Sequence, residues 1–216
     1  MTANGTLSER IDAALSAAEK RMDDYRAHHV QEYHDRQKRL EQLEHQLESL
    51  RMVWDPRLHL LAEKFGKQVN VHPTFGPGRR SAVFEFQSKL ARINLHFSVS
   101  PDPEVRNLIF SYDLEVLPVL MKFDSHRELE LPLDAANSTE LADWLDDCIM
   151  AFVQAYVALH ENQHYWKGHM VEDPICKVQF PQFAAASQFE HNGKMMYFVD
   201  RSTLHEYQQR FDEAHT

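Results

Sequence analysis

Hydrophobic positions in the N-terminal part of the chain recur at helical spacing. Helix-favouring residues fill the segment from about Thr6 to Lys64, without Gly or Pro between Gly5 and Pro56. The sequence therefore predicts a very long helix, interrupted at Pro56. The later half of this helix carries an apolar stripe with the 3-4-3-4 spacing of a coiled-coil seam: Leu40, Leu43, Leu47, Leu50 and Trp54. Upstream the stripe weakens to Met22, Tyr25, His29, Tyr33 and Gln37.

A helix of this length needs a partner for its apolar stripe, because a lone helix in water is only marginally stable. Either the chain folds back onto the stripe, or two chains pair along it. We favour pairing through residues 22–54, since the helix is longer than any small domain that could cover it. The expected assembly is a homodimer or a higher homo-oligomer.

The pattern changes after Gly66 and the turn-forming region 73–78. From Ser81 to Leu133, apolar and polar residues alternate, which is typical of strands with one buried face and one solvent-exposed face. The simplest arrangement is an antiparallel meander of four strands. Their apolar positions centre on Val83 to Phe86, Ile93 to Val99, Leu108 to Val116, and Phe123 to Leu131.

A second helix is predicted from Asn137 to Trp166, and its apolar face would cover the sheet. That face consists of Leu141, Trp144, Leu145, Cys148, Ile149, Phe152, Tyr156 and Leu159. The fold class is therefore α+β. The expected units are a long helix at 1–66, a sheet with its helix at 67–168, and a C-terminal module at 169–216. A ligand pocket between the sheet and the second helix is an alternative to simple packing that the pattern leaves open.

Charge and composition make some classes of binding partner unfavourable. The chain has 33 acidic and 23 basic residues, a formal net charge of −10, so we expect neither nucleic acid nor an anionic membrane as partner. No apolar run reaches the roughly 20 residues that span a membrane. The N-terminus lacks the features of a signal peptide, and the expected location is the cytoplasm. The two cysteines, Cys148 and Cys176, are too few for a disulfide framework.

The C-terminal segment 171–211 combines several short features in a fixed order. These are an Asp173-Pro174-Ile175-Cys176 phrase, small residues at Ala184-Ala185, a hairpin tip at Asn192-Gly193, an aromatic pair at Tyr197-Phe198, and a short helix from about Ser202 to Phe211. In this order they resemble a YHS domain, a small metal-associated module. The resemblance covers about a fifth of the chain and implies a small ββα fold.

The sequence departs from that family in the opening motif and at the positions of the expected metal ligands. Lys177 and Val178 stand where the opening phrase has Gly and Met, and Val199 and Thr203 stand where later cysteines fall. The resemblance implies a copper or zinc site built from Cys176 with His169, His191 and His205. Copper and zinc sites need two or more sulfur or nitrogen ligands, and a single thiolate does not define such a site. We therefore favour the alternative of a module that keeps the fold without a metal.

Residues 160–164 match the HExxH motif and lie on the second predicted helix. In zinc hydrolases His160 and His164 would bind the metal, and Glu161 would be the general base. The extended form of the motif is not completed, because Lys167 and Met170 stand where it has glycine and a third histidine. We expect a polar helix end, where histidines favour the negative end of the helix dipole.

Taken together, these features predict a non-enzymatic interaction or scaffold protein. It would self-associate through the N-terminal helix, and that helix could also engage a different protein. A copper- or zinc-handling protein that uses Cys176 is the first alternative. A zinc hydrolase that uses the HExxH motif is the second.

Overall fold

The computed structural model describes residues 6–135 and 139–213. Helix α1 spans Leu7–Ser49 and helix α2 spans Arg51–Phe65. A capping box starts α1, since Thr6 Oγ1 accepts from the Glu9 backbone N–H and Glu9 Oε2 accepts from the Thr6 N–H. The predicted long helix is confirmed. Its interruption lies at Leu50, however, and Pro56 is accommodated inside α2.

Five strands form the sheet, one more than the alternation predicts. They are β1 Val69–Gly76, β2 Arg79–Phe86, β3 Arg92–Pro101, β4 Asn107–Leu117 and β5 His126–Pro132, antiparallel in sequential order. The prediction of four strands is wrong because β1 contains Pro73 and ends at Gly76, which together suggest a turn. A proline is tolerated here since β1 is an edge strand, and one of its sides makes no ladder hydrogen bonds.

One face of the sheet is apolar and carries the main core. Its central strands bury an alternating set of side chains: Ala82, Phe84, Phe86, Ile93, Leu95, Phe97, Val99, Leu108, Phe110, Tyr112, Leu114 and Val116. Helices α2 and α3 cover this face, so the sheet is backed by two helices instead of the predicted one. Trp54 of α2 meets the rings of Phe97 and Phe110, with centroids 6.0 and 6.3 Å away.

The later half of the apolar stripe packs against the chain's own sheet. Leu43, Leu47, Leu50 and Trp54 are all buried in the main core. The chain therefore folds back on this part of the stripe, and these four side chains are not available to a second copy. The core also runs across the predicted boundary at residue 66.

Helix α3 spans Thr139–Glu161, and its predicted start at Asn137 lies outside the described residues. It ends before the predicted Trp166, because Asn162 leaves the helical conformation and a short 3₁₀ turn follows. The buried Tyr165 hydroxyl ties this turn to the loop after β4, since it donates to the Pro118 carbonyl at 2.8 Å and accepts from the Leu120 N–H at 3.2 Å.

The C-terminal module consists of two small hairpins and a helix. Strands β6 Met170–Glu172 and β7 Gln179–Pro181 form the first hairpin, β8 Ser187–His191 and β9 Lys194–Phe198 form the second, and helix α4 spans Arg201–Glu213. The predicted ββα arrangement corresponds to β8, β9 and α4, with Asn192-Gly193 at the hairpin tip as expected. Val178, Phe180 and Val199 form a separate small core. None of the helices in the described residues is both long enough and apolar enough to span a membrane.

Candidate functional site

The structure separates the two histidines of the HExxH motif. A zinc pair at this spacing needs an unbroken helix to place both rings on one face. Here α3 ends at Glu161, and His164 lies in the 3₁₀ turn that Asn162 caps. His160 Nδ1 lies 2.8 Å from the Tyr156 carbonyl, and His164 Nδ1 lies 2.9 Å from Asn162 Oδ1. These contacts stabilise the end of a helix, as the sequence predicts.

The four residues suggested as copper or zinc ligands are not brought together as a group. His191 Nδ1 lies 2.6 Å from the Tyr207 hydroxyl, and His205 Nε2 lies 3.0 Å from the Gln209 amide nitrogen. His169 is exposed and lines a different pocket from the cleft that contains Cys176. In residues 6–135 and 139–213, no group of three or more His, Cys, Asp or Glu side chains could hold a metal ion.

Several of the fourteen histidines instead pair with carboxylates on the wet face of the sheet. Asp113 lies between His126, whose Nδ1 is 2.6 Å from its carboxylate, and His96 at 4.0 Å. The hydrogen bond that His126 donates to Asp113 raises the pKa of His126 above its ordinary value. His72 lies 3.4 Å from Glu85 in the same manner. The high histidine content is thus partly explained by cross-strand pairs.

A buried carboxylate organises the C-terminal module. Asp173 is fully buried, and its Oδ1 accepts hydrogen bonds from the backbone N–H groups of Ile175 and Cys176 at 2.8 and 3.3 Å. Its Oδ2 accepts from the Val199 N–H at 2.9 Å and from the Thr203 hydroxyl at 2.7 Å. This one side chain therefore joins the turn after β6, the end of β9 and the first turn of α4.

The departures from the YHS pattern have direct structural consequences. Val199 and Thr203 stand where the resemblance places cysteines, and both are buried: Val199 packs in the small core and Thr203 binds Asp173. Lys177 stands where the pattern has glycine, and its φ of 63° is a left-handed conformation that glycine adopts without strain. The backbone still makes the turn, whereas the later ligand positions hold no thiol.

Cys176 lies in a cleft between the module and the β2–β3 end of the sheet. The cleft measures about 870 Å³, and Gln87, Lys89 and Arg92 form part of its sheet side. Arg92 bridges the two units, since its guanidinium lies 2.8 Å from the Asp200 carboxylate. Burial raises the pKa of the Cys176 thiol to about 11, and the N–H of Val178 offsets this only in part. The thiol is therefore protonated at neutral pH, which is unfavourable for metal binding.

We expect alkylation of Cys176 by iodoacetamide at neutral pH to be about 100-fold slower in the folded chain than in the urea-unfolded chain, because the thiolate is the reacting species. Quantitative mass spectrometry of the peptides that contain Cys176 and Cys148 measures each site separately. The Cys176→Ala variant identifies any label misassigned to this position. Equal rates in the folded and unfolded chains would show that Cys176 is accessible with an ordinary thiol pKa, and a faster rate in the folded chain would favour the metal alternative.

An apolar cavity of about 550 Å³ lies between the helices and the edge of the sheet, a feature that the sequence does not reveal. Its walls come from α1, α2 and strands β1–β3, and they include Leu47, Leu50, Trp54, Leu58, Ala62, Val71, Pro73, Phe75, Ala82, Phe84 and Val99. The cavity exists because α2 does not extend over the whole of β1. On the inward face of that strand, exposure rises from 8% at Val69 to 37% at Val71 and 67% at Phe75.

The N-terminal part of α1, residues 7–35, is here called the arm. It is a continuous helix whose hydrogen bonds, ion pairs and ring contacts join residues of the arm itself. The first polar contacts to the rest of the chain come from Arg36 and Arg39, which donate to the carbonyls of Pro103 and Glu104. The arm therefore extends from the point where α1 meets the β3–β4 turn.

The chain matches no family model, no curated protein and no solved structure. The resemblance of residues 171–211 to a YHS domain therefore stays a prediction.

Proposed function

We propose that the protein is a non-enzymatic interaction protein that self-associates through the arm. The observation that carries the proposal is an apolar stripe along the arm that residues 6–135 and 139–213 leave uncovered. Its described members are Ile11, Leu15, Met22 and Tyr25, all of them exposed, with the half-buried Ala18 between them. Their spacing of 4, 3, 4 and 3 residues is that of a coiled-coil seam.

The length of the arm supports a partner along it. At 1.5 Å per residue, 29 helical residues extend roughly 44 Å. An isolated helix of this length is marginal in water unless its apolar face is covered. A polar surface on all sides would need no partner, but Met22 is 55% exposed and Tyr25 is 66% exposed on the same face.

A second copy of the chain is the proposed partner. Leu15, Met22, Leu43 and Leu50 are separated by multiples of seven residues, so the exposed stripe continues the one that the sheet covers. Two arms related by a twofold axis would present identical stripes to each other, as an isologous dimer requires. The proposed pairing surface is thus N-terminal to most of residues 22–54, since the chain itself covers the stripe from Leu43 to Trp54.

The helix break inside the HExxH motif, and the lack in the described residues of a ligand group around Cys176, favour this proposal over the two alternatives. A hydrolase would need His160 and His164 on one face, and a copper or zinc site would need a thiolate with neighbouring ligands. The transition-metal alternative is supported by the YHS resemblance and by the high histidine content.

Light scattering coupled to size-exclusion chromatography tests the proposal. At low micromolar concentration we expect the chain to elute with twice its mass of 25.3 kDa. The double variant Met22→Glu/Tyr25→Glu should elute as a monomer, because four carboxylates would meet in the seam of the dimer.

A matched control adds the same charge to the opposite face of the arm. Ala13 and Ala27 are exposed there, and Ala13→Glu/Ala27→Glu should leave the dimer intact. Circular dichroism establishes that each variant keeps its helix content. A monomeric wild-type chain, or equal loss of mass in both double variants, would contradict the proposal.

A further inference from the structure

The cavity beneath α2 is an apolar pocket that is large enough for a small molecule. It measures about 550 Å³ and opens beside Phe75 on the edge strand. Ligand sites for small molecules fall in the range of roughly 300–1,000 Å³ and have mostly apolar walls. The aromatic side chains of Trp54, Phe75 and Phe84, together with several aliphatic ones, give the cavity walls of this kind.

The walls belong to regular secondary structure and are fixed by the core behind them. Trp54 lies in α2 and packs against Phe97, while Phe84 lies in β2 and is fully buried. A cavity between a helix pair and a twisted sheet keeps its shape better than one made by loops. The part of this preformed apolar surface that contacts water lies at Val71, Pro73 and Phe75, and its exposure is unfavourable unless another apolar group covers it.

The charged groups at the mouth determine what kind of ligand fits. Arg51 lies between Glu48 at 2.8 Å and Asp55 at 3.2 Å, and Arg80 lies 3.0 Å from Glu44. Hydrogen bonds from the Gly78 N–H and from Arg80 hold the pKa of Glu44 below its ordinary value, so this carboxylate is ionised at neutral pH. Both arginines are already neutralised, and neither offers its charge to an anionic head group.

We propose that this cavity is a binding site for an uncharged apolar small molecule. A charged ligand would lose its hydration without gaining an ion partner at the mouth, which makes its transfer into the cavity unfavourable. An uncharged ligand gains from covering the walls and loses little hydration. The site is independent of the proposed self-association, because its walls lie in α2, the sheet and the part of α1 that folds back onto the sheet.

The test uses N-phenyl-1-naphthylamine, a neutral dye that fluoresces in apolar surroundings, with the full-length chain. We expect saturable binding of one dye per chain. Val71→Trp should weaken it by at least about tenfold, because the indole would fill the space beside β1. Ala62→Leu, which adds three carbons from the helix side, should weaken it as well. Thr74→Trp is the matched control, since Thr74 is exposed on the opposite face of the same strand.

Two competitors of equal chain length test the charge argument. Decan-1-ol should displace the dye, and decanoate should need at least about tenfold higher concentration to do so. Absence of saturable dye binding, or binding unchanged in both Val71→Trp and Ala62→Leu when thermal unfolding shows that they are folded, would overturn the proposal. Equal displacement by decanoate would overturn the assignment of an uncharged ligand.

The same dye assay distinguishes this proposal from the proposed function. Met22→Glu/Tyr25→Glu should bind the dye as the wild-type chain does, whatever its mass. Loss of dye binding in that variant would place the site between two copies of the chain and would overturn the cavity within one chain as its location.

Discussion

Replacing Asp173 with alanine is expected to unfold the C-terminal module while the five-stranded sheet stays folded. The carboxylate is fully buried and accepts four hydrogen bonds, three of them from backbone N–H groups. Its removal leaves those donors without this acceptor, and the Val199 N–H is buried where water does not replace it. Breaking a buried charged network from one side costs about 3–5 kcal/mol.

The small size of the module makes this loss decisive. Its core contains Val178, Phe180 and Val199 as fully enclosed apolar side chains, far fewer than the sheet buries. Sub-global units of a protein open with their own free energies, and the module is expected to be the weaker unit. The Arg92–Asp200 contact between the two units is partly exposed and cannot replace the lost interactions.

Hydrogen exchange measured by mass spectrometry checks this prediction. Peptides from residues 170–213 of Asp173→Ala should lose about 10²- to 10³-fold of their protection, whereas peptides from β2–β4 should change little. Asp173→Asn keeps one acceptor oxygen and should lose less. Glu172→Ala is the matched control, because the neighbouring Glu172 makes only an exposed ion pair with Lys177. Wild-type protection in Asp173→Ala would show that the module does not depend on this carboxylate.

Asp173 also shows where reasoning from the sequence is accurate and where it stops. The phrase Asp173-Pro174-Ile175-Cys176 correctly marks the start of a module, and Asn192-Gly193 correctly marks its hairpin. The resemblance draws attention to the sulfur of Cys176, yet the structurally central atoms are the oxygens of Asp173. Their partners at Val199 and Thr203 are distant in sequence, so no local pattern identifies them.

Most strands of the sheet can be predicted from the sequence, whereas the cavity cannot. Strands β2–β5 are evident because their residues alternate between a buried and a wet face. Strand β1 is not, because most of its inward side chains are uncovered and it contains Pro73. The cavity depends on where α2 crosses the sheet, a property of packing that periodicity does not encode. The apolar stripe of α1 was visible from its spacing, but spacing alone could not distinguish a sheet from a second helix as its partner.

Replacing Leu47 with alanine is expected to destabilise a single chain by about 2–5 kcal/mol, the range for a leucine side chain truncated in a packed core. Leu47 is 0% exposed, on the part of the stripe that the chain's own sheet covers. For a chain of this length each kcal/mol lowers the midpoint of thermal unfolding by about 2–4 °C. The adjacent cavity beneath α2 limits how far the side chains around Leu47 can close the space.

The Leu47→Ala substitution has to be made in a monomeric background to show which surface Leu47 packs against. Unfolding of a self-associating chain depends on protein concentration, so both Leu47→Ala and its parent should carry Met22→Glu/Tyr25→Glu. Leu40→Ala is the matched control on the same stripe, since Leu40 is 39% exposed and should cost much less. If Leu47 served a seam between two chains, its replacement would change the unfolding midpoint only where chains associate. A large loss that is the same at all concentrations in the monomeric background identifies the sheet as its partner, and a negligible loss there would contradict the packing of α1 onto the sheet.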